Sequence, residues 1–366
     1  MSTSFAAAWA ARARVAPRPD APGLFLALAP MDGVTDWVYR NLLTDLAGGH
    51  SGISHCVSEF VRVTRTRVQP QVLRRHCPEL DTGGRTRSGV EVFVQLLGGQ
   101  PEPMAQSAAL AAELGAAGID INFGCPAKTV NNHDGGATIL KTPQRVEAIV
   151  AAVRRAVPAA IPVTVKIRVG WDGPERLVEI ARAAEAGGGA WLTVHARTRM
   201  QGYRPPVCWS ELARAREAIR IPVVANGDLT TVDDLHRCAA QSGCHAFMIG
   251  RGSMGRPWLF RQARGHIEPD FEPVRFRALL REYVVRLLAG GAPERAALGR
   301  LKQWLRLGAP AFARVDAMFQ AIKVQRTLAE ALRLLDGGEW GSVVVRGGKR
   351  LSFTAVDSGG VSRVSP

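Results

Sequence analysis

The chain has 366 residues, 46% hydrophobic and 22% charged, with 47 Lys and Arg against 32 Asp and Glu. That length allows a large buried core without covalent staples, and no apolar run reaches the roughly 20 residues of a membrane-spanning helix. The net charge of +15 points to a polyanionic partner, nucleic acid first, while six cysteines without a CxxC pair and eight histidines without HxxxH spacing predict neither disulfide framework nor metal site.

Residues 1–23, rich in Ala and carrying Arg12, Arg14 and Arg18, lack a signal-peptide apolar stretch and read as a disordered extension of a cytoplasmic chain. Eight short apolar runs follow, at 24–29, 53–58, 90–96, 118–122, 161–167, 190–195, 221–226 and 245–249. Near-continuous apolar runs are the pattern of strands buried on both faces. Most are separated by helix-like segments, as at 103–117, 143–157, 174–186, 210–220 and 232–241, several opening on Pro, Ser, Thr or Asp and closing on Gly. Eight such units over 24–265 predict an α/β fold of the (β/α)8 TIM-barrel type. A doubly wound sheet would announce its first turn with GxGxxG, whereas residues 29–33 read APMDG.

From 266 to 340 the strand pattern ends, and apolar residues at helical spacing (Leu279, Leu280, Val284, Leu287, Leu288) predict a C-terminal helical domain with segments at 273–290, 294–307 and 310–335. Between Glu294 and Arg326 stand seven Lys and Arg with only Glu294 and Asp316 as acids. A solvated face is one reading; a phosphate-contacting surface is favoured by the basic character of the whole chain. Residues 341–366, rich in Gly, Ser, Val and Arg without periodicity, read as a disordered tail.

In a barrel of this type chemistry sits at the carboxyl ends of the strands. There the sequence places Pro30, Met31 and Asp32, then Glu59, Gln95, Asn122 with Gly124-Cys125-Pro126, Lys166 and Arg168, His195 and Arg197, Asn226-Gly227-Asp228, and Gly250-Arg251. Taken singly, Gln95, Asn226 or Asp228 could merely cap an element; together they imply one pocket. Lys166 interrupts an apolar run, which is expensive unless a partner accepts its charge. The Gly-rich ends at 226–228 and 250–252, with Arg251, suit a phosphorylated ligand whose oxygens meet bare backbone. Cys125, at a strand end beside the run NNHDGG (131–136), suits a nucleophile or general acid under a mobile loop.

The segments APMDGVTD (29–36), VQLLG (94–98), DINFGCP (120–126), KTVNN with GGA (128–137), VKIRVGW (165–171), VHARTRMQGY (194–203), NGD (226–228) and MIGRG (248–252) together resemble the tRNA-dihydrouridine synthases. EFVRV (59–63), CPEL (77–80) and RLKQWL (300–305) are most similar to the branch acting on uridine 16. The resemblance spans about residues 24–335 and implies an FMN barrel with a C-terminal domain that grips tRNA. It implies reduction of the uridine C5=C6 bond, with hydride from flavin N5 to C6, a proton from Cys125 to C5, and NADPH or NADH as reductant. Cofactor contacts would come from Pro30, Met31, Asp32, Gln95, Lys166, His195, Asn226, Gly227, Asp228, Gly250 and Arg251. The tRNA would meet Arg62, Asn122, Arg168, Arg197, Tyr203, Arg300, Lys302 and Lys323, on a monomer with no membrane and no metal partner. Lys323 stands where that branch carries Arg, and Asp228 where it commonly carries Glu. Rival readings are an FMN barrel acting on a small pyrimidine or enone, a Schiff-base aldolase using Lys166, and a tRNA-binding protein without catalysis on the same scaffold.

Overall fold

The computed structural model describes residues 24–337, so the N-terminal extension and the 341–366 tail expected above lie outside the described residues. Nine strands run parallel: β1 (Phe25–Leu28), β2 (His55–Val57), β3 (Val61–Arg62), β4 (Val92–Leu97), β5 (Ile119–Phe123), β6 (Val163–Gly170), β7 (Leu192–Thr198), β8 (Val223–Asn226) and β9 (Ala246–Ile249). Their order is β2-β1-β9-β8-β7-β6-β5-β4-β3, and β2 also pairs with β4. β2 and β3 are therefore two pieces of one barrel position, and the sheet closes as an eight-position barrel. The break falls at Ser58, whose Oγ accepts the Gln95 N–H at 3.0 Å.

Every strand alternates. Val92, Val94 and Leu96 on β4, or Val163, Val165 and Ile167 on β6, pack outward against the helices, while Phe93 and Gln95, or Thr164 and Lys166, share the opposite face. Phe25, Phe93 and Trp191 close the amino-terminal end of the interior around His55, with ring centroids 4.2 Å apart for His55–Phe93 and 5.4 Å for Phe93–Trp191. Burial drives the His55 pKa down to about 3, so the ring is neutral and belongs to this plug. Side chains thus fill the amino-terminal end of the barrel interior.

The surrounding helices form where sequence supplies both ends. Over Trp37–Ala47 (α1) Asp36 caps the start, accepting the Tyr39 N–H at 2.8 Å, and Gly48 at φ 81° ends it. Arg40 of α1 is buried, pairs with Glu79 of the CPEL segment through Nε and Nη2 at 2.9 and 2.7 Å, and donates from Nη1 to the Thr35 carbonyl at 2.9 Å. That pair locks the 29–36 loop; losing one partner would cost about 3–5 kcal/mol.

The helical layer comprises Pro273–Ala289 (α2), Glu294–Gly308 (α3), Ala313–Ile322 (α4) and Leu328–Gly337 (α5). The three or more helices expected over 273–335 are four, the stretch 310–335 holding two, because Thr327 opens a new one: its Oγ1 accepts the Glu330 N–H at 3.3 Å and Glu330 accepts the Thr327 N–H at 3.0 Å. Trp304 of α3 keys this layer to the barrel. Its ring packs on Tyr39 and Tyr283 at 4.8 and 4.9 Å, and its Nε1 donates to the Met254 carbonyl at 2.8 Å. Arg300, one turn earlier on α3 and so on a shared face, reaches Asp36 at 3.5 Å.

Candidate active site

The polar residues of the carboxyl end meet in one mouth. Asn122 on β5 and Lys166 on β6 are register partners, as are Arg168 and His195, and His195 and Asn226. Lys166 Nζ donates to Asn226 Oδ1 at 3.2 Å, and the Asn226 amide donates to the Met248 carbonyl at 2.7 Å, fixing which way the amide faces. Burial, then Arg168, lowers the Lys166 pKa to about 8 against the opposing pull of Asp120 and Cys125. The lysine is an ammonium held at the edge of deprotonation, a state that an arriving anion would stabilise.

Cys125 faces the same mouth. Its backbone N–H and that of Gly124 donate to Asn122 Oδ1 at 3.0 and 2.8 Å, and its carbonyl accepts from Asn131 Nδ2 at 3.0 Å. Burial raises the thiol pKa; Arg168 and Lys166 oppose that only in part. The thiol therefore keeps its proton at neutral pH, as a proton donor must.

The Gly-rich run expected to be a mobile loop is tied in place. Asn131 also donates to the Ala127 carbonyl at 2.7 Å and accepts from Thr138 N at 2.9 Å. The two bare-backbone loops do approach closely. A Cβ on Gly252 would stand 2.3 Å from the Leu229 carbonyl oxygen, and one on Gly227, at φ 118°, would stand 2.8 Å from the His195 ring. A side chain at either position would collide with the neighbouring loop or strand, so both require glycine.

Arg168 and Arg197 are both 1% exposed. Arg168 donates to the carbonyls of Gly124 at 2.8 Å, Thr198 at 3.0 Å and Gly202 at 2.8 Å, binding the Cys125 loop to the loop after β7. Arg197 donates to the Arg204 carbonyl at 2.8 Å and grips Asp228. Above them Tyr203 lies exposed between the guanidiniums of Arg168 and Arg251, 5.5 and 5.0 Å from its ring centre. Burial, reinforced by Arg168 and Lys166, drives His195 well below its ordinary pKa, so its imidazole is neutral. Pro30, Met31 and Asp32 border the mouth on the turn after β1, where the Met31 N–H donates to Thr35 Oγ1 at 2.7 Å.

Arg62, on β3, and Arg300 are partly exposed. Lys302 and Lys323 lie apart from them. Lys302 donates to the Gln325 carbonyl at 2.6 Å, on the turn that follows Lys323, and Lys323 sits over the Phe319 ring at 5.8 Å.

Two site residues escaped the sequence reading. Asp120, buried below the mouth, accepts from Thr164 Oγ1 at 2.6 Å and from Gln95 Nε2 at 2.7 Å. Gln95 Oε1 in turn accepts from Asn122 Nδ2 at 2.8 Å. Its signal was available, since Asp120 and Asn122 alternate within one apolar run and so share the inner face. Asn131 gave no such signal. Among the described residues no cluster of His, Cys, Asp and Glu is arranged to hold a metal ion, and no helix is long and apolar enough to cross a membrane.

The dihydrouridine synthase (Dus) family profile matches residues 27–289. The tRNA-dihydrouridine(16) synthase of Pseudomonas putida is 45% identical over 314 residues, covering 85% of this chain and 96% of that protein. The Cupriavidus necator protein of the same name is 45% identical over 315 residues, 85% of this chain and 96% of its own. That of Escherichia coli is 41% identical over 313 residues, 84% of this chain and 98% of its own.

Proposed function

We infer the function from one premise, that the chain belongs to the dihydrouridine synthase family: it reduces the C5=C6 bond of a tRNA uridine, at position 16, to 5,6-dihydrouridine. The observation that carries this reading is that Cys125 and Lys166 share one mouth, coupled through Asn122, which bonds the Cys125 N–H and stands opposite Lys166.

FMN is the cofactor of this reading, and the residues present fit it. The donors are one half-buried ammonium, Lys166, and the backbone N–H groups of the glycine-rich loops at 226–228 and 250–252, with Arg251 beside them. Reduced FMN, when bound, supplies the hydride for uracil C6, and NADPH or NADH supplies the electrons to it. Lys166, Gln95 and His195 line the ring's place; the 226–228 and 250–251 loops offer N–H groups to its phosphate. Asp228 contributes backbone there, because its carboxylate is held by Arg197 and Arg251. Pro30, Met31 and Asp32 border the ring.

Cys125 holds the proton that uracil C5 receives, and the thiolate left behind lies within the field of Arg168 and Lys166. Asn122 and Tyr203 address the flipped base. Arg168 and Arg197 act from beneath, shaping the Tyr203 loop. Arg62, Arg300, Lys302 and Lys323 contact phosphates, which offsets the few kcal/mol of extracting a base from folded tRNA. In this reading 24–265 is the catalytic unit and 266–340 the tRNA-holding unit of a cytoplasmic monomer.

The test is incubation of the purified protein with NADPH, FMN and an unmodified tRNA transcript, followed by mapping of mass per nucleotide. A gain of two hydrogens at uridine 16 is expected. Unchanged tRNA in the presence of flavin-loaded protein overturns the activity; a gain at position 17 or 20 overturns the position alone.

A further inference from the structure

Below the mouth an unbroken hydrogen-bond chain runs from a buried carboxylate to the backbone of the proposed proton donor. Asp120 accepts from Thr164 on one oxygen and from Gln95 Nε2 on the other, at 2.6 and 2.7 Å. Gln95 Oε1 accepts from Asn122 Nδ2 at 2.8 Å, and Asn122 Oδ1 accepts the N–H groups of Gly124 and Cys125 at 2.8 and 3.0 Å. An amide placed between two partners can sit either way round. Reversing Gln95 would present its oxygen to Asp120 and its NH2 to Asn122. Asn122 would then reverse as well and turn its own NH2 toward two backbone N–H groups. Burial raises the Asp120 pKa, and the hydrogen bonds from Thr164 and Gln95 and the charge of Lys166 oppose this; as a carboxylate it only accepts, which disfavours the reversed arrangement at its source.

We propose that Asp120 is a positioning residue for the reduction: through Gln95 and Asn122 it sets the direction of two amides and thereby fixes the Cys125 peptide at the mouth. The two relaying amides have a second task in the reaction, since the faces they leave toward the mouth are those a bound ring and a flipped base would meet. Asp120 itself touches neither, being almost wholly buried. Lys166 is hydrogen-bonded to Asn226 and not to the relay, while the charge of Asp120 helps to keep it protonated. The proposal rests on the assignment of Cys125 as proton donor.

Asp120→Leu removes the acceptor while keeping the branched shape, whereas Asp120→Asn keeps one oxygen for Gln95 and can donate to the Thr164 hydroxyl. The readouts are kcat and KM for tRNA, flavin bound per protein, and peptide-resolved alkylation of Cys125 by iodoacetamide. Asp120→Leu should lower kcat per bound flavin about tenfold or more and change the Cys125 alkylation rate in the flavin-free protein by about fivefold. Asp120→Asn should restore most of both. Should Asp120→Leu fail to fold, Asp120→Ser, too short to reach Gln95, carries the same expectations.

Equal impairment of Asn and Leu variants, a loss of turnover no greater than the loss of bound flavin, or unchanged kcat and alkylation would each overturn the relay. If wild-type protein reduces no uridine, the proposed activity falls, while the alkylation comparison still decides whether Asp120 fixes the Cys125 segment.

Discussion

Arg197, buried in the mouth, holds both carboxylate oxygens of Asp228 at once, Nη1 to Oδ1 at 3.0 Å and Nη2 to Oδ2, and Arg251 adds a second contact to Oδ1 at 3.0 Å. Asp228 does so at φ 49°, a left-handed backbone that Asp tolerates better than most residues. The clamp joins the loop after β8 to the loop after β7, which Arg197 also holds through Arg204.

Removing the carboxylate leaves a buried guanidinium short of its anion. Asp228→Ala should lower stability by about 2–4 kcal/mol at pH 7, the lower part of the range reflecting partial exposure of the pair. Burial raises the Asp228 pKa, but Arg197 and then Arg251 more than reverse this and hold it below the ordinary value. The stabilisation is therefore complete above the unfolded pKa of about 3.9 and is lost as pH falls through the lower folded one. Urea unfolding of both proteins between pH 7 and 3 should show a gap that is constant down to pH 5 and then narrows. A gap independent of pH would mean that Asp228 is not paired in solution.

Much of this architecture is legible in the chain. The eight apolar runs are strands because residues facing the helices and residues facing the interior are both buried, as at Val92 and Phe93. The break between β2 and β3 is not legible in ISHCVSEFV, since it depends on Ser58 bonding a strand 37 residues away. The split at Thr327 is legible: TLAE (327–330) is a capping box, hidden inside continuous apolar spacing. Composition misleads at 131–136, where Gly suggests mobility but one Asn side chain ties the segment down. The resemblance implies Arg168 and Arg197 as tRNA contacts; only the tertiary fold reveals the carbonyls that each of them holds.

Cys125 supplies the second prediction. Because burial raises its pKa, alkylation of this cysteine should rise with pH through a midpoint above the ordinary thiol value of about 8.5. Cys208, exposed on the surface, serves as the internal reference. Cys125→Ala should bind flavin and tRNA as wild type does yet lose turnover by about 10²-fold or more. Single-turnover uridine reduction at near-normal rate in that variant would remove Cys125 from the role.

Lys166 makes flavin affinity pH-dependent. Its pKa of about 8 places deprotonation just above neutrality, and a flavin anion is attracted only by the ammonium. Anaerobic titration of flavin-free protein with reduced FMN, whose ring is anionic, should show affinity constant up to about pH 7.5 and falling above it, though the bound anion extends the range upward by raising the lysine pKa. Lys166→Met should bind more weakly at pH 7 and abolish that inflection. An inflection that survives in the variant would belong to another group.

Arg300 and Arg62 test the electrostatic share of tRNA binding. Arg300 reaches the barrel from α3 and pairs only loosely with Asp36, at 3.5 Å, so phosphate can compete for it. Each arginine neutralising one phosphate should contribute about 0.7–0.9 to the slope of log K against log salt. Arg300→Ala and Arg62→Ala should each weaken binding and flatten the slope by about that amount. Lys302 is held by the Gln325 carbonyl at 2.6 Å, so Lys302→Ala should flatten the slope less. Lys323→Arg, which restores a planar fork over the Phe319 ring, should tighten binding by about two- to fivefold through bidentate contact. Slopes measured between 50 and 200 mM salt decide among these, and a slope unmoved by Arg300→Ala would place the tRNA away from the joint between barrel and helices.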